Sequence, residues 1–204
     1  MSLKIIPAGA VAAWLLAGPA LAQTGPSGDP AAVEGGRYVV EPVHTVVLFD
    51  IDHLGFTKYY GRFTGLSGAL TLDPGNPSAS RVSVSIPVAS VNTPSDKLSS
   101  ELAGPTFLDA GAYPTITFVS RSVNPTGPTT AQITGDLTMH GVTRPVTLAA
   151  TFHGGGVNVM TRSYMVGFDA VTRLKRSDFG VKTYLPMLGD DVEVTISAAF
   201  EKAK

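Results

Sequence analysis

The sequence predicts an all-β protein, a small antiparallel barrel of about eight strands with one or two short helices. Three observations carry this expectation. Beyond Arg37 the apolar residues recur with a period of two, as they do in strands with one buried face. Corners rich in Pro, Gly and Asn separate these runs and suit short connections between antiparallel neighbours. A single segment, Pro94 to Leu108, departs from the alternation and takes helical spacing instead.

Taken from the N-terminus, Lys4 supplies a positive start, Ile5 to Leu16 an apolar run, and Ala20, Leu21 and Ala22 a small-x-small site. Residues 1–22 therefore read as a secretory signal cleaved after Ala22. Pro7 and Gly9 interrupt the run, which falls short of the roughly 20 apolar residues that cross a bilayer. Residues 23–36 hold Gly25, Pro26, Ser27, Gly28, Pro30, Gly35 and Gly36 and read as a flexible leader. The domain is expected over 37–204, enough chain for one substantial core.

Val47, Phe49 and Ile51 share one face of the first long strand. Weaker alternation marks Phe63 to Leu72, Arg81 to Val88, Thr115 to Arg121 and Ala131 to Met139. Three clear strands follow, with inward sets Val146, Leu148, Ala150, Phe152; Tyr164, Val166, Phe168, Ala170; and Val192, Val194, Ile196, Ala198, Phe200. Turns fall at Asp73 to Pro77, at Asn124 to Pro128 and at Gly154, Gly155 and Gly156. Leu98 and Leu102 lie one helical turn apart, placing a helix over Ser95 to Ala103 and a turn around Phe107 to Ala110. Closure would remove exposed strand edges. Periodicity alone also fits a β-sandwich.

Composition narrows the function classes. The chain has 0 Cys, so stability rests on burial and backbone pairing. Lys plus Arg at 15 against Asp plus Glu at 16 gives a net charge of −1, no footprint for nucleic acid. Gly-x-Ser-x-Gly elbows, phosphate loops and Cys nucleophiles are absent from the sequence. His44, His53, His140 and His153 lack the close spacing of ordinary zinc motifs. No cofactor or metal is expected.

Four strings, in order along the domain, resemble one known family: His44, Thr45, Val47, Phe49, Ile51, His53 and Gly55 leading to Gly61, Arg62 and Phe63; Phe107 to Ala110 with Tyr113 to Phe118; Gly135 to Val146; and Arg176 to Gly180. Together they are similar to the YceI-like, polyisoprenoid-binding family, whose members form an eight-stranded antiparallel lipocalin-like β-barrel. Asp50 and Asp52 are more acidic than that pattern, and Tyr59 and Tyr60 are bulkier. The resemblance implies a non-enzymatic periplasmic protein that holds a long-chain isoprenoid lipid, of the polyprenyl phosphate or isoprenoid quinone type, for transport, storage or sequestration. Each buried methylene contributes about 0.8 kcal/mol against an association cost of about 4–15 kcal/mol. A long tail clears that cost without charged contacts. No stable membrane insertion of the mature chain is expected, and a homodimer is compatible with the sequence.

Ligand-lining candidates are Val47, Phe49, Ile51, Phe63, Phe118, Leu137, Val166 and Phe168, residues that serve equally as ordinary core. By parity His53 points inward at one strand end, either toward a head group or to a backbone carbonyl. His44 sits at the strand entrance as a turn contact. Arg62 either grips a pyrophosphate or braces Asp50 or Asp52. Arg176, Ser177, Asp178 and Phe179 suggest a structural latch, with Asp178 accepting backbone N–H bonds and Gly180 supplying a positive φ. The other classes consistent with these residues are an exported sandwich that binds a protein partner through an edge strand and, more remotely, a hydrolase or metal enzyme.

Overall fold

The structure, a computed structural model, describes residues 25–204; the expected signal, residues 1–22, and its cleavage site lie outside the described residues. Ten strands join in one antiparallel sheet. They are β1 (Gly36–Val40), β2 (Val46–His53), β3 (Thr57–Phe63), β4 (Ser67–Leu72), β5 (Arg81–Pro87), β6 (Thr115–Pro125), β7 (Thr130–Met139), β8 (Val142–Val157), β9 (Tyr164–Lys175) and β10 (Leu188–Lys202). β1 and β2 lie end to end along β10, and β4 and β3 lie end to end along them. Each pair works as one interrupted strand, so the sheet closes as an eight-stranded antiparallel barrel. Tyr38 opposite Lys202 and Val40 opposite Phe200 make the closing ladder. That closure overturns the sandwich reading, because the sheet curls back on itself through the β1–β10 pairing instead of splitting into two stacked layers.

The first interruption has a local cause. Between β1 and β2 the buried Thr45 hydroxyl accepts from Ala199 N at 3.0 Å and donates to Ala199 O at 3.1 Å. A side chain thus replaces one rung of the ladder. Glu41 closes the corner, accepting from Val43 N and His44 N, each at 3.0 Å, and pairing with His44 Nδ1 at 2.6 Å. Partial burial works against the carboxylate, yet these hydrogen bonds hold Glu41 below its ordinary pKa. His44 is the turn contact that its position suggests.

Where alternation predicts eight runs, β1 and β3 are additional, and two other readings change. Gly154, Gly155 and Gly156 do not form a turn; they lie inside β8, which continues past a bulge between Phe152 and Gly154. Their small size serves a close approach: a Cβ on Gly155 would stand 2.6 Å from Val33 Cγ1 and 2.9 Å from Val166 Cγ1. Residues 25–36, composed like a flexible leader, dock instead. Ser27 bridges to Gly155 in both directions at 2.8 and 3.0 Å, Asp29 caps a short 3₁₀ turn at Pro30–Ala32, and Val33 is buried. Tyr38, with no exposed surface, donates to Glu34 O. Burial first, then the neighbouring Tyr164 and Glu34, push the Tyr38 phenol up to about 12. The segment therefore forms a plug across one end of the barrel, the base.

The opposite end, the mouth, carries α1 (Asp96–Ala103). Ser95 caps it by accepting from Leu98 N at 3.3 Å, and Asp96 stands in the first turn where the helix dipole favours a negative charge. A turn follows, tied back by Leu108 N to Leu102 O at 3.0 Å and Ala110 N to Ala103 O at 2.8 Å. Helix and turn lie where the spacing of Leu98 and Leu102 places them.

Candidate functional site

The inward side chains do not meet in the middle. They enclose a lumen of about 370 Å³, within the range of about 300–1,000 Å³ that small-molecule sites occupy. Its walls are the even-numbered residues of β8, β9 and β10, among them Ala150, Phe168, Ala170, Val194 and Ala198, and the apolar faces of β4 to β7. Small residues set the width: Ala150 stands directly opposite Ala170. Gly61, opposite Phe49, leaves room for that ring, since a Cβ there would lie 2.2 Å from Phe49 Cζ.

Val47, Phe49 and Ile51 on β2, Phe63 on β3, Phe118 on β6, Leu137 on β7 and Phe168 on β9 all line the lumen. Three candidates lie elsewhere. Val166, 1% exposed, packs with Val33 below the lumen and belongs to the plug. His53 lines a second chamber at the mouth. Arg62 is on the outer wall: Gly61 and Phe63 are buried, and its neighbours' inward parity sends its side chain to solvent. It braces neither aspartate, because Asp50 pairs with Lys58 at 2.8 Å and Asp52 accepts from Gly55 N at 2.8 Å. Only the backbone of Arg62 is engaged, in two 2.9 Å bonds with Asn92.

At the base the lumen ends on Pro30 and Val33, with Phe152, Phe168 and Phe200 above them. The rings run in sequence, 5.4 Å between the centroids of Phe152 and Phe168 and 6.1 Å from Phe168 to Phe200, edge to face in both pairs. At the mouth, Leu102, Phe107 and Leu108 cover the strands. Beyond them lies a second chamber of about 360 Å³, bounded also by Phe49 and Ile51. The two chambers share Phe49, Ile51, Leu102 and Phe107, so one wall of side chains separates them. The outer chamber includes four polar side chains, His53, Tyr59, Glu101 and Tyr184. His53 and Tyr59 stand 5.7 Å apart between ring centroids.

One wall of the mouth is held by Arg176, only 6% exposed. Its Nε donates to Gly189 O at 2.8 Å, Nη1 to Val181 O at 3.2 Å and Thr183 O at 2.9 Å, and Nη2 to Leu188 O at 3.2 Å. Burial lowers the guanidinium pKa and Asp190 opposes the shift; the side chain remains a cation. The latch expected at 176–180 is real, with Gly180 at φ +83°, but its carboxylate is different. Asp190, not Asp178, accepts from Ser177 N at 2.9 Å and Ser177 Oγ at 2.7 Å. Although partial burial opposes the shift, these bonds hold Asp190 below its ordinary range. The latch joins the end of β9 to the start of β10 and fixes the 181–188 loop over the mouth.

Sequence reasoning missed the lid, Leu102 and Phe107, the plug, Pro30 and Val33, and the polar pair Tyr59 and Glu101. Glu101 was legible in part, because Leu98, Glu101 and Leu102 share one helix face. Among the described residues no group of three or more His, Asp or Glu is placed to hold a metal ion.

A closed barrel with an unfilled apolar interior defines a class, the small chambered barrels of lipocalin-like architecture. Within that class the chain belongs to the YceI-like domain family, which residues 38–200 match. It is 41% identical to a UPF0312 protein of Ectopseudomonas mendocina over 154 residues, 76% of this chain and 80% of the relative. A UPF0312 protein of Pseudomonas putida is 42% identical over 142 residues, 70% of this chain and 73% of that one. Among solved structures, Burkholderia cenocepacia BcnA superposes with a TM-score of 0.71 at 26% identity, covering 78% of this chain and 98% of BcnA. A polyisoprenoid binding domain from Saccharophagus degradans shares the fold, with a TM-score of 0.65 at 14% identity over 83% of this chain and 100% of the domain.

Proposed function

We propose that this chain is a non-enzymatic binder of a long-chain isoprenoid, held in the barrel lumen for transport, storage or sequestration in the periplasm after export and removal of residues 1–22. The observation that carries the reading is the lumen itself, an apolar cavity of about 370 Å³ walled mainly by aliphatic and aromatic side chains. Such a space offers a guest burial and almost no hydrogen bonding, so its affinity grows with apolar length at about 0.8 kcal/mol per methylene. The outer chamber adds room for a chain that outgrows the first. The Saccharophagus domain, described as polyisoprenoid-binding, supports the choice of an isoprenoid among long apolar lipids. Holding such a guest requires no reacting group. Organic extraction of natively purified protein followed by mass spectrometry tests the reading. A stoichiometric long-chain isoprenoid is expected, and its repeated absence would contradict the proposal.

A further inference from the structure

The outer chamber differs chemically from the lumen. Its walls are largely apolar, yet His53, Tyr59, Glu101 and Tyr184 line it, and none of the four side chains has a hydrogen-bond partner among the described residues. Half-buried polar groups in an apolar setting favour a partner, and a carboxylate, hydroxyls and an imidazole lining one chamber offer both acceptors and donors. Cations are missing where a phosphate would need them. No Lys or Arg lines this chamber, and Arg62 faces solvent on the outer wall. The two arginines that border the lumen are committed to backbone carbonyls: Arg81 to Ser78 O and Ser80 O, Arg176 to four carbonyls of the latch.

From this arrangement we infer that the outer chamber is a head-group site for an uncharged oxygen function, such as a prenyl hydroxyl or a quinone carbonyl, and that Glu101 sets the selection against phosphate. The inference rests on the lipid reading above and narrows its ligand class. A hydroxyl donates to Glu101 and accepts from Tyr59 or His53, and a carbonyl accepts from either of the latter two. A diphosphate in the same place meets a carboxylate and no lining Lys or Arg to offset it, and like charges so placed repel. Selection by a repulsive group is a common route to specificity.

Equilibrium binding of radiolabelled geranylgeraniol and geranylgeranyl diphosphate to delipidated full-length protein tests this, with the ratio of the two affinities as the readout. Wild type is expected to favour the alcohol by at least about tenfold. Glu101→Gln should shrink the ratio, and Glu101→Lys should shrink it further or reverse it. Squalene, which has no head group, should bind all three proteins alike, which separates head-group selection from damage to the lumen. Preference for the diphosphate by wild type, or a ratio that Glu101→Gln leaves unchanged, overturns the inference while the lipid reading stands. Failure of wild type to bind any of the three compounds overturns both.

Discussion

The two ends of the barrel are closed by different physics. At the base, closure is a matter of fit: Val33 sits against Gly155 and Val166, Tyr38 is wholly buried beside them, and three phenylalanines stack above. At the mouth, closure is a matter of hydrogen bonds, with one arginine holding four carbonyls, and a helix and turn lying over a chamber that keeps polar side chains facing in. The mouth combines a hydrogen-bonded cover with polar side chains that have no hydrogen-bond partner among the described residues.

Breaking the mouth should cost more than breaking the base. Arg176→Ala strands four carbonyls in a buried setting and should destabilise by about 3–5 kcal/mol, by analogy with removing one partner of a buried charged network. Urea unfolding measures it, and Arg176→Lys should recover only part, since one ammonium cannot reproduce the planar fork. At the base, Gly155→Ala forces a methyl group into Val33 and Val166 and should cost about 1–3 kcal/mol. Val33→Ala in the same chain should relieve much of that cost. A double-mutant cycle with no coupling would show that residues 27–34 do not pack on β8 as described.

Smaller effects separate the ends by pH. Tyr38→Phe removes the hydrogen bond to Glu34 O and should cost about 1 kcal/mol at neutral pH. Because the folded-state pKa of Tyr38 is raised to about 12, its contribution is complete below the unfolded value near 10 and is lost as pH rises through 12. Wild type should therefore lose more stability than Tyr38→Phe between those limits. Asp190 at the mouth behaves in the opposite sense. Its folded pKa is depressed, so its contribution is present above the ordinary carboxylate range near 4 and disappears as pH falls below it. Asp190→Asn should flatten that acid limb of the stability curve and leave the alkaline limb unchanged.

The sequence made the walls legible and the ends obscure. A strand's face follows from parity alone, which is why Val47, Phe49, Ile51, Phe118, Leu137 and Phe168 all reach the lumen. Parity also held the answer for Arg62, whose neighbour Phe63 points inward and so sends the arginine out. Val166 has inward parity but lies too near the base to border the cavity, and period says nothing about height along a barrel. Gly154 to Gly156 suggest a turn by composition, yet their small size serves the approach of Val33, a contact between residues more than a hundred positions apart. The leader was misread for the same reason, since its single buried valine matters only once β8 is in place. Asp178 and Asp190 are both acidic residues near the latch, and only the pairing of β9 with β10 decides which one reaches Ser177.

The central claim is that the lumen, and no surface of the protein, holds the lipid. Native mass spectrometry of wild type beside Ala170→Trp, which fills the chamber from the middle of β9, tests it most directly. The account predicts a stoichiometric isoprenoid adduct on wild type and none on the filled variant, with matching circular dichroism. A wild type without adduct, or a filled variant carrying the same lipid, would contradict it.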